Sequence, residues 1–168
     1  MRSPSSVAAL AVAALMSSAA AYGNSRANEW VLTDECTLAA FSELLTQPQV
    51  QTETAAFLIE EEGGVACVIW PRMAWIRSQN FQGSIPPQTI AIVHTHPPGE
   101  GKPSFNDIRE AERLLLPIFV ITRSSIRVVD AGGDPPVTDV ALGDWSGRVP
   151  HHAPPGCKKL RVVGRGGP

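Results

Sequence analysis

Two histidines one residue apart, His94-Thr95-His96, stand at the end of the short apolar run Thr89-Ile90-Ala91-Ile92-Val93. On a strand, positions i and i+2 project from the same face, so both imidazoles can reach one metal ion about 2.0–2.1 Å from each nitrogen. Ser104-Phe105-Asn106-Asp107 follows after a loop. Ser-x-x-Asp at a helix start is nearly a capping box, with the hydroxyl on an orphan amide and the acid near the positive end of the helix dipole. A capping aspartate still faces whatever lies in front of the helix. If the loop folds that helix back over the strand end, Asp107 completes a set of two histidines and one carboxylate that leaves zinc's fourth position open to water. Such chemistry needs a proton carrier as well. Glu53 is the candidate, because a strand beginning there and paired with 89–93 would bring its start beside the histidines. Glu60, Glu61 and Glu62 compete for the role, although three adjacent acids before Gly63-Gly64 fit a solvated hairpin tip.

The elements that must position these groups follow from periodicity. Asp34 precedes Leu38, Phe41, Leu44 and Leu45, an apolar stripe with a capping residue in front, which predicts a helix over about 35–46 closed by Gln47-Pro48. Ala55–Ile59 and Val65–Trp70 flank the Gly63-Gly64 pair as a β-hairpin. The stretch 71–88, with Pro71, Trp75, Gly83, Pro86 and Pro87, has no clean period. Residues 89–93 form a buried strand, and 97–103, with three prolines and two glycines, form a loop. The glycines of that loop would permit motion over the ligands. Ser104 opens a helix with Ile108, Ala111, Leu114 and Leu115 on one side, and Pro117 stops it. Ile118–Thr122 and Ile126–Val129 read as strands joined by a tight turn. Trp70, Met73 and Trp75 fit either a substrate groove or, more commonly, the core.

The ends of the chain read differently from this body. Arg2, the apolar run Val7–Met16 and the small residues Ala19-Ala20-Ala21 have the layout of a secretory signal peptide over 1–21, too short in its apolar part for a membrane anchor. A polar linker over 22–33 and a domain over 34–147 follow. Residues 148–168 hold five basic residues and no acid, are rich in Pro and Gly, and predict a flexible tail. Its His151-His152 pair offers adventitious metal binding at most. The body from 22 to 147 holds eight basic and sixteen acidic residues, which speaks against a nucleic-acid partner. Export would place Cys36, Cys67 and Cys157 in an oxidising compartment where thiols pair, and an odd number leaves one free or paired between chains. Cys67, inside an apolar run, reads as a small buried hydrophobe.

His94-Thr95-His96-Pro97, six residues, then Ser104-x-x-Asp107, with Glu53 upstream ahead of an apolar strand, resembles the JAMM/MPN+ metalloprotease signature over about residues 34–130. The resemblance implies a single α/β domain with a central mixed β-sheet flanked by helices, in a cytidine-deaminase-like architecture. It implies zinc on His94, His96 and Asp107, Glu53 as general acid/base, and Ser104 helping to hold an oxyanion. The implied activity is hydrolysis of a peptide or isopeptide bond in a peptide or protein-conjugate substrate, by an exported, periplasmic or secreted enzyme. A metal-binding or interaction module that keeps the fold without catalysis is the alternative. A zinc deaminase would need His-x-Glu and a later Pro-Cys-x-x-Cys, and neither is present.

Overall fold

In the computed structural model, which describes residues 33–46, 53–70, 84–97, 99–149, 154–158 and 161–162, the first element is helix α1, Glu35–Thr46. Asp34 caps it: its carboxylate accepts the backbone amides of Cys36 and Thr37 at 3.3 and 3.2 Å and the Thr37 hydroxyl. Phe41 and Leu44 on its inner face are wholly buried, each burial contributing about 1.5–3 kcal/mol. Strands β1 (Ala55–Glu61), β2 (Gly64–Ile69) and β3 (Thr89–Thr95) follow. Helix α2, Phe105–Leu114, connects β3 to β4 (Ile118–Thr122), and β5 (Ser125–Val129), β6 (Val137–Leu142) and the two-residue β7 (Arg161–Val162) complete the elements.

The strands form one mixed sheet in the order β6-β5-β4-β3-β1-β2-β7. The β3–β4 and β2–β7 pairings are parallel and the others antiparallel. The alternation of side chains along each strand sorts them between two cores. Ala56, Leu58, Ala91, Val93, Phe119 and Ile121 pack with Phe41 and Leu44 of α1. On the opposite face, Phe57, Ile59, Ile92, Ile118 and Val129 pack with Ala111 of α2, with Ile108 and Leu114 alongside. The result is an α/β domain with helices on both faces of a mixed sheet.

The second half of the chain holds more structure than its sequence pattern suggests. β6 was not expected, nor was the 3₁₀ turn Ser146–Arg148, which follows Trp145. Trp145 is buried in the α1-side core, and its indole N–H donates to the Thr122 carbonyl at 2.6 Å. Where the sequence predicts a flexible tail, the described residues are tied down. Cys157 is disulfide-bonded to Cys36 at the start of α1, β7 pairs with the end of β2, and Glu61 takes Lys158 and Arg161 as ion-pair partners. A disulfide and a two-residue strand leave no periodic signal in a Pro/Gly-rich segment. Cys67 is free and buried. Among the described residues no helix is long and apolar enough to cross a membrane. The expected signal peptide, nearly all of the linker, Met73, Trp75, His151 and His152 lie outside the described residues.

Candidate metal centre

His94 is the sixth residue of β3 and shares the α2-facing side with Ile92, as the two-residue period requires. Its ring stands beside that of His96, with centroids 4.9 Å apart and the two Nε2 atoms at 3.0 Å. His96 lies one residue past β3, yet its backbone amide donates to the Ile121 carbonyl at 3.0 Å and so prolongs the pairing with β4. The His96 ring is fixed from behind, because its Nδ1–H donates to the Glu100 carbonyl at 2.7 Å. That bond leaves Nε2 with a lone pair directed at His94, the arrangement that metal-binding imidazoles adopt.

Asp107 arrives from α2 as expected, and it caps and faces the histidines at once. Ser104 Oγ accepts the Asp107 amide at 3.3 Å, while the Ser104 amide donates to Asp107 Oδ2 at 2.5 Å, a complete capping box. The carboxylate spans both tasks: Oδ1 lies 3.4 Å from His94 Nε2, and Oδ2 lies 3.8 Å from His96 Nε2. The capping box therefore holds the acid in place rather than diverting it. Ser104 itself is exposed, with the O–H proton of its hydroxyl not used by the cap.

Glu53 is the fourth group at this end of the sheet. β1 pairs with β3 through Ala55↔His94, and the pairing runs on past the end of β1, because the Thr95 amide donates to the Thr54 carbonyl at 2.9 Å. The next step along that register places Glu53 opposite His96, and Glu53 Oε1 lies 3.9 Å from His96 Nε2. Glu60 and Glu61 sit at the far end of β1, and Glu62 lies in the hairpin turn beyond it, so none of the three competing acids reaches the histidines. Glu61 is occupied with the tail.

A tetrahedral zinc about 2.0–2.1 Å from its ligands would hold any two donor atoms about 3.3 Å apart. His94 Nε2 to His96 Nε2 at 3.0 Å and His94 Nε2 to Asp107 Oδ1 at 3.4 Å lie near that value, and one ligand atom from each of the three side chains falls within 4.8 Å of the others, so His94, His96 and Asp107 fit such an ion with adjustment of the side chains. They form a group of metal-competent side chains, nearly enclosed, with side-chain exposures of 10, 8 and 14%. Burial pushes the His94 imidazole down to about 4, against the pull of Asp107 and with a smaller push from His96, so at neutral pH it is an uncharged base. Burial raises the Glu53 carboxyl above the usual carboxylate range; His96 opposes this, while Asp107 and Glu100 add to it.

Other contributors to this geometry carried little or no sequence signature. The Glu100 carbonyl is a main-chain group that any residue supplies. Thr95, wholly buried on the opposite face from His94, accepts the Thr54 amide on its hydroxyl at 2.9 Å and so steadies the segment bearing Glu53. Arg127 was legible only as a lone cation within the apolar strand Ser125-Ile126-Arg127-Val128-Val129.

No family model matches this chain, and no curated protein matches its sequence. Its functional reading therefore rests on the site.

Proposed function

We propose that the protein is a zinc-dependent hydrolase of peptide or isopeptide amides, with His94, His96 and Asp107 as the metal ligands and Glu53 as the general acid/base. The observation that carries this reading is the presence of a carboxylate 3.9 Å from a ligand histidine, beside three donors spaced for one ion. The motif resemblance to JAMM/MPN+ enzymes supports the same assignment. Zinc bound there would supply Lewis acidity, lowering the pKa of a water from 15.7 to about 7 and polarising the scissile carbonyl.

The chain's own groups carry the protons. Glu53 accepts a proton from the attacking water as the new C–O bond forms, and returns it to the amine as the C–N bond breaks. Its raised pKa makes the carboxylate a better base in the first transfer and lets the carboxyl keep that proton until the amine takes it in the second. Ser104 accepts the Asp107 amide on its oxygen and offers its O–H to the carbonyl oxygen as charge develops there. The proposed substrate is a peptide or a protein conjugate. We place the protein outside the cytoplasm, a reading supported by the signal-like layout of residues 1–21 and by the Cys36–Cys157 disulfide.

Metal analysis of the purified mature chain beside its His96→Ala variant tests the ligand set. About one zinc per wild-type chain is expected, with loss in the variant. Peptide-library cleavage by the zinc-loaded protein then tests the reaction. Zinc binding with no cleavage of any peptide or isopeptide would reduce the protein to a metal-binding module.

A further inference from the structure

A single row of residues crosses the sheet on the α2 side: Ala55 pairs with His94, His94 with Val120, Val120 with Arg127, and Arg127 with Asp139. Paired residues in a sheet point to the same side, so Arg127 shares a face with His94, with the fully buried Val120 between them. Arg127 is mostly buried, with 18% of its side chain exposed, and its donors are spread over three partners. Nε donates to Asp139 Oδ1 at 2.6 Å. Nη1 donates to the Gly101 carbonyl at 2.5 Å and to Ser125 Oγ at 3.2 Å.

Gly101 follows the residue whose carbonyl holds the His96 ring. The loop is pressed against β5 at this point: a Cβ added at Gly101 would meet Ser125 Oγ at 2.8 Å and Arg127 Nη1 at 2.9 Å, closer than a Cβ comes to other heavy atoms. On the other side of Glu100, its amide donates to the Pro97 carbonyl at 3.1 Å. The peptide that orients His96 is thus fixed between a turn and a guanidinium.

We propose that Arg127 is a positioning residue for the metal site, clamping the Gly101 carbonyl so that the neighbouring Glu100 carbonyl stays in place to hold the His96 ring with Nε2 toward His94. This rests on the metal-site reading given above. It also recasts the loop: with the described residues around Gly101 bonded to β5, the segment serves as a fixed support for the ligand. A guanidinium suits the task because its planar fork satisfies Asp139 and Gly101 simultaneously, which a lysine ammonium cannot do with the same geometry.

The test uses the full mature chain with Arg127→Ala, Arg127→Lys and Gly101→Ala, each checked for folding by circular dichroism and thermal melting. Two readouts are taken: Co(II) and Zn(II) dissociation constants, and the ¹⁵N-edited NMR signal of the His96 ring in metal-free protein. Groups that support a metal-bound histidine are typically worth 10–100-fold in affinity. Arg127→Ala is expected to weaken metal binding about tenfold or more and to expose the His96 Nδ1–H to fast solvent exchange, with partial recovery in Arg127→Lys. Gly101→Ala perturbs the same clamp from the loop side with Arg127 intact and is expected to act in the same direction. Folded variants that retain wild-type affinity and a protected Nδ1–H would overturn the clamp. A wild-type chain that takes up neither metal would instead overturn the metal-site reading, while the ring signal would still report on the clamp.

Discussion

Glu53 and His96 face one another across the extended β1–β3 pairing, Oε1 to Nε2 at 3.9 Å, although 43 positions of sequence separate them. Their apposition follows from one register, Ala55↔His94, continued two residues beyond β1. A slip of one residue would turn Glu53 to the α1 side of the sheet and remove it from the histidines.

Replacing Glu53 with Gln keeps the side chain's shape and removes its proton-carrying capacity. Zinc content is expected to stay near the wild-type value, because Glu53 is not among the three proposed ligands. Turnover is expected to fall by 10²–10⁴-fold, the usual worth of a general acid/base. Stoichiometry by metal analysis and kcat on a cleaved peptide check the two halves separately. An active Glu53→Gln enzyme would remove Glu53 from the mechanism.

Thr95 tests whether the segment bearing Glu53 must be held. Thr95→Val preserves the β-branched shape in a fully buried position but deletes the hydroxyl that accepts the Thr54 amide. Lost hydrogen bonds of this kind cost about 0.5–1.5 kcal/mol, and an ångström of misplacement at a reacting group costs on the order of a hundredfold in rate. A modest drop in melting temperature is expected, with unchanged zinc content and a fall in kcat of roughly tenfold or more. Equal kcat in Thr95→Val and wild type would show that Glu53 is held by other contacts.

Ser104 caps α2 and, in the proposed mechanism, also donates to the oxyanion, and the two roles separate by measurement. Ser104→Ala loses the cap, at about 0.5–2 kcal/mol, and with it part of the support for Asp107. Ser104→Asn can restore the cap but not the hydroxyl. Zinc affinity is expected to recover in Asn relative to Ala. Turnover is expected to stay 10²–10³-fold low in both, the cost of one lost oxyanion donor.

The parts of this geometry that were legible in the sequence are those governed by short periods. The stripe Leu38, Phe41, Leu44 and Leu45 marks α1, Asp34 and Ser104 mark helix starts, and the spacing of His94 and His96 alone puts both rings on one side of a strand. The expectation that a strand after Glu53 pairs with 89–93 also matches the observed sheet. What escaped depends on partners far along the chain. β6 follows a Gly/Pro-rich turn and pairs with β5 across a register shift between Ile126 and Arg127, which blurs its alternation. Trp145 is held by a carbonyl of β4, and the tail by Cys36, more than a hundred residues away. The Glu100 carbonyl could not be read at all, since main-chain acceptors carry no residue identity.

The Cys36–Cys157 bond closes a loop spanning 121 residues and fastens the tail beside α1. Disulfides of this kind typically stabilise by about 2–4 kcal/mol, mainly by restricting the unfolded chain. Cys36→Ser/Cys157→Ser, or full reduction, is expected to lower the melting temperature by roughly 4–16 °C at this chain size. Zinc content of the folded fraction is expected to be unchanged, because neither cysteine lies among the proposed ligands. A thermal melt with and without reductant measures the first, and a metal assay after refolding the second.

His94 gives the metal-free protein a pH dependence whose sign follows from burial. Its imidazole titrates near 4 in the folded chain against 6.5 in an ordinary setting, so between those values the unfolded chain binds a proton that the folded chain refuses. This contribution to stability is fully present above about pH 6.5 and is lost as pH falls toward about 4. In chelator-treated protein the urea midpoint is expected to decline across that window, and His94→Gln is expected to flatten the decline because Gln has no proton to take up. At pH 7, zinc at a hundredfold excess over its dissociation constant is expected to add about 2.7 kcal/mol. That increment should vanish in His94→Gln, since the variant lacks one of the three donors the ion needs. A decline unchanged by His94→Gln would assign the acid sensitivity to other groups and leave His94 with its proposed ligand role only.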